Sequence, residues 1–186
     1  MLEIYSVGHS NHPIDYFIGL LTRHDVTALA DVRSIPYSRR HPQFCREALA
    51  ESLREAGIAY VFLGEELGGK RAGGLAAAAG TPEFRTGLDR LREGAQRYGV
   101  AFMCAEREPL DCHRTMLVAR HLRAPGVTIR HILANGTIEE HDSVERRLVE
   151  AEKTEPPPLM AGQAGAWDEA VERAYDARSR AWTTTS

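Results

Sequence analysis

The chain has 186 residues, 43% of them apolar, a formal net charge of −3 and three cysteines. That length suits one domain with a sizeable core and leaves room for an appendage, and the mild charge offers no global basic excess, so any binding to nucleic acid needs a local patch. No apolar run approaches the roughly 20 residues that span a bilayer, the N-terminus lacks the basic start and apolar core of a secretory signal, and Cys45, Cys104 and Cys112 are too few for a disulfide scaffold and fit a reducing cytoplasm.

Ile4 to Val7 reads as a short strand, ended by Gly8-His9-Ser10. A helix comes next, capped by Asn11 or His12 with Pro13 at its first position, where a missing N–H costs nothing; Tyr16, Phe17, Leu20 and Leu21 mark its apolar face. Thr27 to Val32 is a second strand that runs out into Arg33. Beyond a loop with two prolines, Phe44 to Ala56 has helical spacing and stops at Gly57, and Ala59 to Leu63 is a third strand. Gly64 to Gly80 is so rich in glycine and alanine that it reads as a mobile loop. Thr81 then caps a helix with Pro82 at its start and Phe84, Leu88, Leu91 and Ala95 on its buried side. Val100 to Met103 is a fourth strand, a helix begins near Cys112, Val127 to Leu133 is a fifth strand, and Ile138 to Val149 is a helix.

Strand and helix alternate throughout, which predicts an α/β fold: a three-layer parallel, or mostly parallel, sheet of about five strands flanked by helices. Residues 1–150 form that domain, 151–163 with Pro156-Pro157-Pro158 a stiff linker, and 164–186 a helical tail. In the tail Trp167, Val171, Tyr175 (or Ala174) and Trp182 recur at helical spacing, a face that docks on the domain or makes a homo-oligomer.

Three strands end in polar residues: Gly8-His9-Ser10, Asp31-Val32-Arg33 and Cys104-Ala105-Glu106. In a parallel sheet those ends share one edge, where open α/β sheets place their ligands. Singly, such a histidine is usually a hydrogen-bonded structural residue, and an Asp-x-Arg pair is as often a salt bridge; together they point to a cleft. The densest chemistry is Cys104 to Arg114, where two thiols, a carboxylate, an imidazole and a guanidinium fall within eleven residues. Asp111 as cap puts Cys112, His113 and Arg114 in a first helical turn, whose unpaired N–H groups favour a thiolate. Cys112 is then a nucleophile or redox thiol, or equally a buried cysteine acting as a small apolar residue; with Cys104 it could form a reversible disulfide or join His113 or His9 at a metal, although seven residues between the cysteines match no common zinc spacing. Arg33 and Arg114, with Ser10, Asp31, Ser38, Arg39 and Lys70 around them, suit a phosphate or carboxylate, and Tyr37 and Phe44 among Arg39, Arg40 and Arg46 suit a nucleotide or a single strand of nucleic acid. Arg39 and Arg40 read slightly better as ordinary solvated charges, whereas Arg33 does not. No dinucleotide-binding glycine fingerprint, Walker loop or nucleophile elbow is present.

Gly8-His9-Ser10, Asp31-Val32-Arg33 with Pro36-Tyr37-Ser38, Leu67-Gly68-Gly69, and Cys104-Ala105-Glu106 succeeded by Cys112-His113-Arg114 together resemble the bacterial family catalogued as domain of unknown function 488, over roughly residues 2 to 150. The resemblance implies an α/β domain with a site made of His9, Asp31, Arg33, Cys104, Glu106, Cys112, His113 and Arg114, and it supplies no reaction.

Three functions stand as expectations. The first is an enzyme, a hydrolase or transferase, on a small phosphorylated or nucleotide-like substrate: Arg33 and Arg114 hold the anion, Cys112 or Cys104 attacks, and Glu106 or His9, with His113 beside them, handles the proton. The second is a nucleic-acid-binding module that uses Arg33, Tyr37, Arg39, Arg40 and Arg46 without catalysis. The third is a metal or redox sensor built on Cys104, Cys112 and His113. No cofactor is expected in the first reading, a metal ion being the minor alternative.

Overall fold

A computed structural model describes residues 1–183 apart from 72, 158, 161, 162 and 164; the side chains of 181–183, Trp182 among them, and part of the expected proline linker lie outside the described residues. The chain divides into two compact units, Met1–Glu139 and Glu140–Ser186.

The first unit is built on a mostly parallel sheet. Its strands are β1 (Leu2–Gly8), β2 (Ala28–Asp31), β3 (Ala59–Phe62), β4 (Val100–Cys104), β5 (Val127–Ile132) and β6 (Ile138–Glu140), in the order β3-β2-β4-β1-β5-β6. β1 pairs in parallel with β4 and β5, and β2 with β3 and β4. Helices in chain order are α1 (Ile14–Arg23), α2 (Arg46–Glu55), α3 (Gly64–Leu67), α4 (Gly74–Ala79), α5 (Pro82–Ala95), and a π-type run Arg114–Ala119 that continues as α6 (Arg120–Leu122).

The sixth strand corrects the expected count of about five. Residues 138–140 share helical spacing with the segment from His141 onward, yet they lie beside β5, and the connection from Ile132 to Ile138 is too short for anything but an antiparallel return. The Leu133 N–H donates to the Thr137 carbonyl at 2.9 Å across that turn. The glycine-alanine stretch is also corrected: it holds two short helices, α3 and α4, which bury Leu67, Leu75 and Ala78.

Alternation along the strands sorts the core. Val7, Leu29, Ala101, Met103 and Ile132 face α1 and α2, where Phe17, Leu20, Leu21, Leu49 and Leu53 complete a cluster with almost no exposure. Phe102 and Cys104, one step out of phase with Ala101 and Met103, point to the opposite side of β4. Thr81 caps α5 as expected, its hydroxyl accepting from the Phe84 N–H at 3.2 Å, with Phe84, Leu88 and Leu91 buried.

The register is what positions the site. Gly8 lies opposite Cys104, and Asp31 opposite Met103, so the carboxyl ends of β1, β2 and β4 finish level. The pairing runs one step past the strands: His9 N–H donates to the Cys104 carbonyl and Ser10 N–H to the Ala105 carbonyl, both at 2.9 Å.

The second unit contains α7 (His141–Glu152) and α8 (Ala166–Thr183). Ala170, Val171, Ala174 and Tyr175 are buried on α8, and Trp167 is 41% exposed. The Tyr175 hydroxyl donates to Glu145 at 2.9 Å, and Arg178 pairs with Glu152 at 2.6 Å. Among the described residues no helix is long and apolar enough to cross a membrane.

Candidate functional site

Two polar clusters stand side by side at the carboxyl edge of the sheet. The first is His9, Asp31, Arg33 and Tyr60. Asp31 ends β2 and is fully buried; it accepts from Arg33 Nε at 2.9 Å, Arg33 Nη2 at 2.6 Å, the Arg33 N–H at 3.1 Å and the Tyr60 hydroxyl at 2.8 Å. Arg33 Nη1 donates to His9 Nε2 at 3.2 Å, while His9 Nδ1 donates to the Ser10 carbonyl at 2.8 Å. Those bonds fix a neutral imidazole with its proton on Nδ1. The ring also stacks on Phe44, centroids 4.2 Å apart. Burial, and then the Arg33 charge, push the His9 pKa down to about 4. Tyr60 moves the other way, raised by burial and by Asp31.

The second cluster is Cys104, Glu106, Cys112 and His113. Cys104 is the last residue of β4. The chain then bends through 105–108 and makes a 3-10 turn at Pro109–Asp111. Asp111 ends that turn and does not cap the next helix. Cys112 is extended, with φ −136° and ψ 140°, and its carbonyl takes the first helical bonds, from Thr115 at 3.0 Å and Met116 at 3.2 Å. Cys112 therefore stands at the helix entrance, where its own sulfur accepts from the Arg114 N–H at 3.4 Å. The helical run beyond it is π-type, with the Arg120 N–H donating to the Thr115 carbonyl, a geometry frequent at functional sites.

The four side chains meet closely. Glu106 Oε2 lies 2.8 Å from Cys104 Sγ and 2.9 Å from Cys112 Sγ, and His113 Nδ1 lies 3.3 Å from Cys104 Sγ. His113 Nε2 donates to the Val32 carbonyl at 2.9 Å, which turns the Nδ1 lone pair toward the sulfurs. All four ligand atoms lie within 4.8 Å of one another. The sulfurs are sealed from solvent, Cys104 at 2% and Cys112 at 0% exposure, whereas His113 is half-buried and Glu106 is exposed.

The thiols do not share one acidity. Burial, and then the neighbouring Cys112, hold the Cys104 thiol well up. At Cys112 burial opposes ionisation, but the Cys104 hydrogen bond, the Arg114 charge and His113 outweigh it, and its pKa falls. Burial against the sulfurs, and then the charge on Cys112, raise the Glu106 carboxyl. For His113 burial acts downward and is outweighed by Cys112, so its pKa rises.

Arg114, expected at an anion, is fully buried and braces the bend: Nη1 donates to the Glu106 carbonyl at 2.5 Å and Nη2 to the Arg107 carbonyl at 3.1 Å. Its Nε has no partner among the described residues. Ser10 turns the chain with φ 48°. Ser38 accepts from the His41 N–H at 3.1 Å, Arg39 is exposed beside it, and Lys70 is exposed with its N–H on Ser34 Oγ at 2.9 Å. Among the described residues no hydrogen bond or ion pair joins the side chains of Ser38, Arg39 or Lys70 to either cluster.

Several contributors escape the sequence reading. Tyr60 sits one strand away from Asp31, and Val32 acts through its carbonyl. Glycines Gly8, Gly64 and Gly69 matter for what they lack. A Cβ on Gly8 would collide with the Glu106 carbonyl, one on Gly64 with the Arg33 carbonyl, and one on Gly69 would stand 2.7 Å from His113 Cβ. The Leu67-Gly68-Gly69 motif was the available signal: its glycines let the loop lie directly on the histidine.

Fold and site thus define an α/β protein in which two buried thiols meet an imidazole and a carboxylate at the carboxyl edge of its sheet. The family model described as Domain of unknown function DUF488 matches residues 13–121, more than half the chain, and the protein belongs to that family. The match spans the second cluster and Asp31 and Arg33, and begins after His9. No curated protein and no solved structure matches the chain.

Proposed function

We propose that the protein is a metal-binding protein whose centre holds one thiophilic divalent cation, zinc by preference, on Cys104, Cys112 and His113, with Glu106 beside them. The observation that carries this reading is the meeting of four donor atoms within 4.8 Å, on residues delivered by the end of β4 and the entrance of the next helix. Two thiolates and an imidazole are the donors that select zinc. The backbone bond from His113 Nε2 is the outer support that ligating histidines have, since it fixes both tautomer and ring orientation. Ions bound this way draw sulfur and nitrogen to about 3.6 Å apart, close to the 3.3 Å between Cys104 Sγ and His113 Nδ1.

A second reading keeps Cys112 as the nucleophile of an enzyme on a small anionic substrate. The Arg114 N–H on the Cys112 sulfur and the lowered thiol pKa favour it. The sealed sulfurs, and an Arg114 guanidinium held by two carbonyls, weigh against it.

One experiment separates the two. Elemental analysis of the purified protein should give about one zinc per chain, and Cys112→Ser and His113→Ala should lose it. A chelator should then speed alkylation of Cys104 and Cys112. A metal-free wild type whose Cys112 is alkylated faster than Cys45 sinks the metal reading in favour of the nucleophile.

A further inference from the structure

The four donors of the centre are not equivalent. Cys104 and Cys112 are sealed, each on backbone tied into the sheet or the helix entrance, and His113 is held by Val32 and by the glycine loop packed on its ring. Glu106 is exposed, and its side chain is held only by the two sulfurs, whereas Arg114 clamps the carbonyls of both Glu106 and Arg107. Its carboxylate also stands at the wrong distance for a ligand. Sulfur and oxygen bound to one tetrahedral zinc lie about 3.6 Å apart, whereas Glu106 Oε2 is 2.8 and 2.9 Å from the two sulfurs. At those distances the oxygen is pressed directly against both sulfurs, with no room for a cation shared among the three. A cation seated between the sulfurs displaces that oxygen, and the bend lets the Glu106 side chain rotate toward solvent while its backbone stays clamped. With both sulfurs buried, the fourth coordination position faces out on the Glu106 side.

We infer that this fourth position is exchangeable: the centre takes an outside ligand, water or the oxygen or nitrogen of a small molecule, where Glu106 now lies, and Glu106 acts as its gate. The inference rests on the metal reading and extends it. Three protein ligands with one position left open is the arrangement of catalytic zinc, whereas structural sites close all four. A cation so held polarises the oxygen it binds, which suits hydrolytic or carbonyl chemistry.

The test uses the full-length protein loaded with Co(II), whose visible absorption reports its ligands. Wild type, Glu106→Gln and Glu106→Ala should each bind one cobalt per chain. Azide and imidazole should shift the spectrum of all three, with affinity at least tenfold higher in both variants. Imidazole is neutral, so its gain separates an opened position from relieved charge repulsion. Loss of cobalt from both variants, with native circular dichroism, would make Glu106 a resident ligand and overturn the inference while leaving the metal reading intact. Spectra that neither probe alters in any of the proteins would overturn it as well. Failure of the wild type itself to take up cobalt would overturn the metal reading, and the gate with it.

Discussion

The two clusters at the sheet edge are built from similar chemistry and end in opposite conditions. In the first, Asp31 accepts four hydrogen bonds and both nitrogens of His9 are engaged. The Arg33 charge is neutralised at 2.6 Å by a fully buried carboxylate. In the second, two sulfurs converge on a single carboxylate oxygen, and the lone pair of His113 Nδ1 meets a sulfur. A saturated cluster holds the fold, because each polar atom already has its best partner. Donors crowded on one acceptor have bonding capacity left for a ligand.

The largest effect is expected at Asp31. Asp31→Ala leaves Arg33 buried without its counter-charge and should cost about 3–5 kcal/mol in chemical denaturation, while metal content of the folded fraction stays at the wild-type level. A cost under about 1 kcal/mol would show that the pair behaves like an exposed one and that this cluster is no brace.

His9 offers the next largest effect, through pH. Its folded pKa, about 4, lies below the ordinary value of about 6.5. Between those values the unfolded chain binds more protons than the folded one, so stability rises with pH there. The contribution is complete above about pH 6.5 and is lost as pH falls toward 4, about 3 kcal/mol over the window. His9→Gln should flatten that part of the stability profile relative to wild type; parallel profiles would refute a neutral, buried His9.

Gly69→Ala sharpens the contrast from the other side. The new methyl would press on His113 Cβ and Cγ at 2.7 Å, and overpacking of this kind costs about 1–3 kcal/mol. Its larger consequence should be weaker zinc binding in a chelator competition, since His113 is displaced. Wild-type zinc affinity in this variant would mean that the glycine loop does not position the ligand.

The fold was legible where local signals agree. Apolar runs separated by helical patterns give β1 to β5, and Thr81-Pro82 gives the start of α5, because capping and periodicity act within a few residues. β6 was not, since three residues carry too little pattern to outweigh the helix directly after them. The glycine-alanine stretch hid α3 and α4 because their stability comes from Leu67, Leu75 and Ala78 packing on distant partners. Asp111 looked like a cap by residue type, but a 3-10 turn ending on it moved the helix entrance to Cys112.

By itself the sequence determined which groups arrive at one edge: parallel strands that end in Gly8-His9, Asp31-Val32-Arg33 and Cys104-Ala105-Glu106 can end nowhere else. Tertiary structure alone decided how those groups pair there. It bound Arg33 to Asp31, turned Arg114 inward onto two carbonyls, and set Cys104, Cys112 and His113 around Glu106. The physical reason is range. Strand and helix preferences are written in neighbouring residues, whereas hydrogen bonds and donor geometry depend on ångström-scale separations between segments far apart in the chain, 81 residues in the case of His113 and the Val32 carbonyl.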